Sequence, residues 1–273
     1  MRYFLQLSFN GKNYHGWQLQ ANAHSVQAEL NTALSTLLKA DIETLGCGRT
    51  DTGVHAKKFF AHFDTLSTIE DKDFIYHLNC LLPFEIAAQQ LYPVADDAHA
   101  RYDATGRTYR YYIHKVKNPF LNETSYFFPH KIDLELMNEA AELLLQYKNF
   151  GCFSKSRTQV KTDICNVTSA VWSRREGESE KVRKWDDGCP SPVHFHTFSL
   201  AQFHSFLFFE ITADRFLRNM VRAIVGTLLD VGEKHITIDD FKNIIEKGSR
   251  SNAGVSVPAH GLFLENVVYP FIK

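Results

Sequence analysis

One short stretch of the chain combines an acid, an arginine and three glycines. The run GCGRTDTGVHA covers residues 46–56, with Arg49 two positions before Asp51 and His55 four positions after it. Residues two apart on extended backbone point to the same side, so Arg49 would favour the ionised form of Asp51. Glycines permit backbone angles that other residues avoid and let a substrate approach closely. The stretch is consistent with a single carboxylate that works without a metal.

Other interpretations of the same residues are constrained by the rest of the sequence. A dinucleotide-binding GxGxxG motif would need glycine where Asp51 stands, and the stretch lacks the GK[ST] ending of a nucleotide-binding loop. Asp51-Thr52-Gly53 is the tripeptide of aspartic proteases, which need two carboxylates that share a proton. The chain has no second such tripeptide, so a hydrolase would require a second copy of the chain. A turn stabilised by the Asp51 side chain, beside a surface arginine, is the purely structural alternative.

The elements around this stretch place Asp51 in a loop that leads into a strand. Apolar and polar residues alternate over residues 3–9 and again over residues 57–64, which predicts two strands. Ser25 precedes apolar residues at helical spacing and predicts a helix that extends to about Lys39. Loops that are positioned by such elements commonly carry functional residues.

The second half of the chain follows a stretch of small and polar residues. This stretch, residues 93–106, predicts a domain junction, with one unit over residues 1–104 and another over residues 105–273. A strand over residues 107–116 would place Tyr109 and Tyr111 on one face. A helix is predicted from about Leu134 to Tyr147, and mixed charges with Gly and Pro predict an exposed insertion near residues 173–203.

Two further helices are predicted near the C-terminal end. Asp214 is predicted to cap the first of them, which Gly232 would close, and Thr237 is predicted to cap a helix that ends near Gly248. A stripe of arginines lies at i, i+3 and i+7 in the first helix: Arg215, Arg218 and Arg222. A final strand is predicted in the run GLFLENVVY. Most predicted strands alternate in polarity, which favours an α/β (α+β) class with two domains of largely antiparallel mixed sheets packed against helices.

Composition limits the class of protein more than its activity. The 273 residues are 44% hydrophobic and 22% charged, which is ordinary for a soluble globular protein. The net charge of −1 gives no global case for a nucleic-acid partner, although a local basic face is enough to bind phosphates. Five basic residues near the junction strand, together with its tyrosines, predict such a face: Arg101, Arg107, Arg110, Lys115 and Lys117.

Cysteine usage and the first residues predict the compartment. The five cysteines form no CxxC pair, so a disulfide framework or a zinc ribbon is disfavoured and a reducing cytosol is expected. The run MRYFLQLSFNG alternates in polarity, unlike a signal peptide, and no long apolar span follows it. We therefore expect a cytoplasmic protein that does not enter a membrane.

Several stretches together resemble the TruA family of tRNA pseudouridine synthases. GCGRTDTGVHA is similar to the catalytic signature of that family, and FNGKNYHGWQLQ, SVQAEL and LNCLLP are similar to its other N-terminal blocks. RYDATGRTYRYYI, FLRNMVRAIVGTLLDVG and GLFLENVVYP follow in the same order. The resemblance covers nearly the whole chain. Ala98 departs from it, since the family commonly has Phe there, and residues 173–203 have no matching counterpart.

The resemblance implies roles for five residues and a pseudouridine synthase fold with its catalytic cleft between two related domains. Asp51 would be the essential aspartate, acting either as a nucleophile or as the base that opens the ribose toward a glycal. Arg49 would help to swing out the target base, and Arg222 would pair with Asp51 and keep it ionised. Tyr109 would stack on the flipped uracil and take part in proton transfer, and Leu262 would pack beside the base.

The resemblance also implies the partners. The substrate would be the anticodon arm of tRNA, with uridines at positions 38, 39 and 40 as targets, and the protein would be a homodimer. No metal, nucleotide or other cofactor would be needed, because the reaction involves no redox change and no net hydrolysis. A tRNA-binding module that keeps the fold without turnover is the non-enzymatic alternative, and an aspartic hydrolase is the other.

Overall fold

The structure is a computed structural model that describes residues 1–66, 68–70, 72–155, 162–175, 206–248 and 253–272. Most of the insertion predicted near residues 173–203 lies outside these ranges. No helix within the described ranges is both long enough and apolar enough to cross a bilayer.

The described residues form nine strands and five helices. The strands are β1 (Arg2–Phe9), β2 (Leu45–Gly46), β3 (His55–Asp64), β4 (Ile86–Val94), β5 (Gly106–His114), β6 (Tyr126–Phe127), β7 (Val167–Arg175), β8 (Phe206–Ala213) and β9 (Leu262–Val268). The helices are α1 (Val26–Leu38), α2 (Phe74–Leu81), α3 (Leu134–Leu143), α4 (Met220–Gly232) and α5 (Ile238–Lys247). Short 3-10 turns lie at Gly11–Asn13, Leu144–Gln146, Gly151–Phe153 and Ala259–Gly261.

All nine strands belong to one sheet that runs through both halves of the chain. Its order is β4-β1-β3-β9-β5-β8-β7, with β2 alongside β3 and β6 alongside β5. The pairs β3–β9 and β5–β6 are parallel, and the other pairs are antiparallel. The predicted α/β class with a largely antiparallel mixed sheet is therefore confirmed. The last strand, β9, joins the two halves because it lies between β3 and β5.

Two hydrophobic cores lie along this sheet. The first is built on β1, β3 and β4 with α1 and α2, and it includes the fully buried rings of Phe4, Phe59 and Phe60. The second packs α3, α4 and α5 against β5, β7 and β8, and it includes Phe209. Burying each such ring contributes up to about 3 kcal/mol, so each core can hold its half of the sheet in place. Tyr109 packs against both cores and thus marks the seam between them.

Local signals located two helix starts correctly and one wrongly. The Ser25 hydroxyl accepts a hydrogen bond from the Ala28 backbone N–H, and Thr237 forms a capping box with Asp240, which confirms both predicted N-caps. The prediction for Asp214 is wrong, because α4 begins only at Met220. The Asp214 carboxylate instead accepts from the backbone N–H groups of residues 166 and 215, both at 2.7 Å.

The late start of α4 changes the geometry of the predicted arginine stripe. Asn219 precedes the helix in the left-handed conformation with φ of 66°, so Arg215 and Arg218 lie before the helix and not along it. Arg222 alone is in the first turn of α4. The three side chains therefore need not share one face. Arg218 and Arg222 both approach Asp51, whereas Arg215 donates to the carbonyls of residues 162 and 164.

Candidate active site

The loop that carries Asp51 rests on the segment before α1. The Thr50 hydroxyl accepts a hydrogen bond from the Trp17 backbone N–H at 3.0 Å, in a buried position. The Gly53 N–H donates to the Tyr14 carbonyl at 3.3 Å. Bonds on both sides of Asp51 therefore hold its backbone against the same neighbouring segment.

Two glycines make this contact possible. Gly53 has a positive φ of 79°, which residues other than glycine rarely adopt. Gly16 has φ of 91°, and a Cβ atom there would lie 2.2 Å from the Thr50 carbonyl oxygen. The glycine-rich run over residues 46–56 and the HGW run over residues 15–17 are therefore packed against each other.

His55 fixes the other end of the loop. The ring is 1% exposed, its Nδ1 accepts from the Gly11 N–H at 3.1 Å, and its Nε2 faces the His260 carbonyl at 3.1 Å. These partners require a neutral ring with the proton on Nε2. Burial lowers the pKa of His55, which favours the same neutral form. His55 thus ties the Asp51 loop to the turn that precedes Leu262.

Two arginines from the second half of the chain meet the Asp51 carboxylate. The Arg218 Nε lies 3.4 Å from Oδ1, and the Arg222 Nη1 lies 3.9 Å from Oδ2. The two guanidiniums together leave an excess positive charge beside the carboxylate. Arg222 is also anchored, because its Nε donates to the Val257 carbonyl at 2.7 Å. An aspartic protease dyad would need a second carboxylate in the place that these guanidiniums occupy.

Arg49 does not pair with Asp51. It is exposed, and its Nε donates to the Gln18 side chain at 3.2 Å. The cations closest to the carboxylate thus come from a distant part of the chain. This leaves the Arg49 side chain at the surface of the loop, where it is accessible to a ligand.

Tyr109 and Leu262 lie where β5 and β9 run side by side. The partly buried Tyr109 ring meets the edge of Phe216 at a centroid distance of 5.1 Å. Burial raises the pKa of Tyr109, with smaller contributions from Cys47 and the charge of Asp51, so the phenol stays neutral. Leu262 is 6% exposed and pairs with Tyr111 at the start of β9. Together they provide an aromatic and an apolar surface near the seam.

The predicted basic face around β5 is largely engaged within the chain. Arg110 pairs with Glu210, and the Lys115 ammonium donates to the His130 carbonyl. Arg107 donates to backbone carbonyls, including that of Cys47 at 3.1 Å. These three cations therefore form intramolecular contacts, whereas Arg101 and Lys117 are exposed.

Sequence reasoning missed Arg218 as a partner of Asp51. The i, i+3, i+7 spacing includes Arg218, but arginines at that spacing along a helix usually form a solvated face. The preference for Arg222 came from the family resemblance alone. Arg218 comes just before the left-handed Asn219, and its side chain reaches Asp51, 167 residues earlier in the chain. No local sequence pattern predicts such a contact.

One possible metal-ligand group exists among the described residues, and it lies away from Asp51. Asp230, Glu233 and His235 have ligand atoms within 4.8 Å of one another. Asp230 lies in the last turn of α4 and the other two lie just beyond its end. Arg222 lies in the first turn, and a rise of about 1.5 Å per residue over eight residues separates it from Asp230 by roughly 12 Å along the helix axis. This group is therefore separate from the Asp51 site.

Comparison with known proteins agrees with the fold. A family profile described as tRNA pseudouridine synthase matches residues 140–270. The mixed α/β architecture with its largely antiparallel sheet, together with this match, identifies the class as a pseudouridine synthase fold. Individual relatives match nearly the whole chain.

Three of these relatives show the family. The tRNA pseudouridine synthase A of Bacteroides thetaiotaomicron is 46% identical over 269 residues, which is 98% of this chain and 91% of the relative. That of Parabacteroides distasonis is 46% identical over 98% of this chain and 96% of the relative, and that of Clostridium acetobutylicum is 36% identical over 97% and 98%. This chain belongs to the tRNA pseudouridine synthase A family.

Proposed function

We propose that this chain converts uridine to pseudouridine in tRNA, with Asp51 as the reacting carboxylate. The observation that carries the proposal is the position of Asp51 at the seam between the two cores. Its backbone is held by one half of the chain, and Arg218 and Arg222 approach its two oxygens from the other half at 3.4 and 3.9 Å. Family membership supplies the reaction for which such a carboxylate is suited.

The reaction is an isomerisation that balances without a co-reactant. The bond between ribose C1′ and uracil N1 breaks, the base turns, and C1′ joins C5. The proton leaves C5, and N1 gains a proton. Asp51 acts either by attacking C1′ or by removing the C2′ proton to give a glycal, and both routes need the carboxylate unprotonated.

The remaining site residues have distinct proposed roles. Arg222 keeps Asp51 ionised, and the neutral Tyr109 phenol stacks on the extruded uracil and donates or accepts a proton. Arg49, whose side chain is exposed, helps to displace the base from its helix. Leu262 supplies an apolar contact beside the base.

The proposed substrate is the anticodon arm of tRNA, with uridines at positions 38, 39 and 40 as targets. Extruding a base from the helix costs a few kcal/mol, which contacts with RNA shape and phosphates must offset. We further propose a cytoplasmic homodimer whose protomer has two units, residues 1–104 and 105–273, that meet at the site. The two hydrophobic cores support that division.

The test is to incubate the purified chain with an unmodified tRNA transcript, without added metal or nucleotide, and to map pseudouridine. We expect it at positions 38 to 40. Asp51→Asn keeps the size of the side chain but removes its charge, so tRNA should still bind and no pseudouridine should form. Undiminished turnover in Asp51→Asn, or a requirement for metal or nucleotide, would contradict the proposal. A wild-type chain that binds tRNA without forming pseudouridine would favour the binding-module alternative.

A further inference from the structure

One guanidinium binds four backbone carbonyls at the seam between the two halves. The Arg107 Nη1 donates to the carbonyls of Ala104 at 3.2 Å and Asp214 at 2.6 Å. Its Nη2 donates to those of Cys47 at 3.1 Å and Arg101 at 2.7 Å. The acceptors belong to three separate segments: the Asp51 loop, the turn before β5, and the end of β8.

The chemistry of these contacts separates Arg107 from the other basic residues nearby. Within the described ranges, no carboxylate lies within 4.0 Å of its guanidinium, whereas Arg110 pairs with Glu210. The planar fork of arginine presents several N–H donors in fixed directions, so one side chain can bind several carbonyls at once. A lysine ammonium at the same place has three donors on one atom and cannot reproduce that spread. Arg107 thus acts as a cross-link between backbone segments.

The segments that Arg107 joins are those that carry the reacting groups. Cys47 lies four residues before Asp51 in the same loop. Asp214 lies four residues before Arg218, in the segment that leads into α4. A bond to both carbonyls therefore connects the backbone that carries the carboxylate with the backbone that carries its cations.

We propose that Arg107 is a positioning residue that sets the separation between Asp51 and the two arginines, Arg218 and Arg222. This inference rests on the function proposed above. When Arg107 is removed, we expect the Asp51 loop to keep its contacts with the segment before α1 and the second core to keep α4 in place, because those contacts do not involve Arg107. The loss therefore changes how the two parts are placed relative to each other. A misplacement of about 1 Å in an active site can lower turnover by about 100-fold.

The experiment compares Arg107→Met, Arg107→Lys and a matched control, Arg2→Met. Arg2 is also a strand arginine with a backbone acceptor, since its Nη1 donates to the Ala98 carbonyl at 3.0 Å, but its carboxylate partner is Asp64 at the edge of the first core. Pseudouridine formation is measured over a range of tRNA concentrations, with tRNA affinity and melting temperature measured on the same samples. Wild-type activity is the reference that tests the proposed function by itself.

We expect kcat to fall about 10- to 100-fold in Arg107→Met, while the dissociation constant for tRNA stays within about twofold. The kcat of Arg107→Lys should lie between those of Arg107→Met and wild type, because an ammonium can donate to some of the carbonyls. Arg2→Met should lower the melting temperature without lowering kcat. The inference is overturned if Arg107→Met turns over at the wild-type rate, or if its loss is in tRNA affinity alone, which would indicate an RNA contact. If Arg107→Met does not fold, wild-type kcat in the folded Arg107→Lys variant overturns it equally.

Discussion

The two regions that meet at Asp51 are held in different ways. The loop over residues 46–55 is fixed by buried hydrogen bonds, such as that from the Trp17 N–H to Thr50 at 3.0 Å. The segment over residues 214–222 reaches the same carboxylate with side chains at 3.4 and 3.9 Å, and the Arg218 side chain is 59% exposed. The backbone that carries the carboxylate is thus held by its own half, whereas the second half supplies charge through longer side chains. This arrangement can keep the Asp51 backbone in place while the exposed Arg218 side chain adjusts to a bound nucleotide.

Among the arginines of the segment over residues 214–222, removing Arg222 should lower kcat the most. Arg222→Gln removes the less exposed of the two cations, which also holds the Val257 carbonyl. Loss of a preorganised charge contact in an active site commonly lowers kcat by about 100-fold or more, and we expect a loss of that size. The measurement is pseudouridine formation at saturating tRNA.

Arg215→Gln is the matched control for that variant. Arg215 belongs to the same stretch, but it donates to the carbonyls of residues 162 and 164, both at 3.2 Å. Its loss should leave kcat near the wild-type value. Equal kcat values for Arg222→Gln and Arg215→Gln would show that the charge beside Asp51 does not limit turnover.

Removing Arg218 should have a smaller effect. Its ion pair with Asp51 is largely exposed. Such pairs contribute about 0.2–1 kcal/mol, so Arg218→Gln should lower kcat/KM by at most about fivefold. Because the side chain is accessible at the seam, the defect should appear mainly as a raised KM for tRNA. Kinetics at two salt concentrations check this, since salt weakens phosphate contacts. A fall in kcat as large as that of Arg222→Gln would reverse the ranking of the two arginines.

Sequence reasoning succeeded where structure depends on neighbouring residues. Ser25 and Thr237 were located as N-caps because their acceptor oxygens bond N–H groups three residues later. Asp214 has the same side-chain chemistry, but its carboxylate is bound by the backbone of residue 166, which no local pattern reveals. The predicted start of α4 was wrong for that reason.

The same distinction applies to the site. Asp51 and Arg222 could be singled out because each lies in a long motif that resembles the family. Arg107 and Arg218 could not be assigned their contacts, since these depend on how distant segments meet. The parallel pairing of β3 with β9, which brings residues 55 and 263 together, is equally non-local. Predicting such contacts requires knowledge of how the two cores pack along one sheet.

The central claim is that Asp51 from one half is coupled to an arginine from the other. A double-mutant cycle tests it directly, with Asp51→Asn, Arg222→Gln and the double variant compared by urea unfolding. The two side chains are 26% and 21% exposed, and we expect a favourable coupling of about 0.5–1 kcal/mol. The corresponding cycle with Arg215→Gln should give no coupling. Additive free energies of unfolding in the Asp51–Arg222 cycle would contradict the claim.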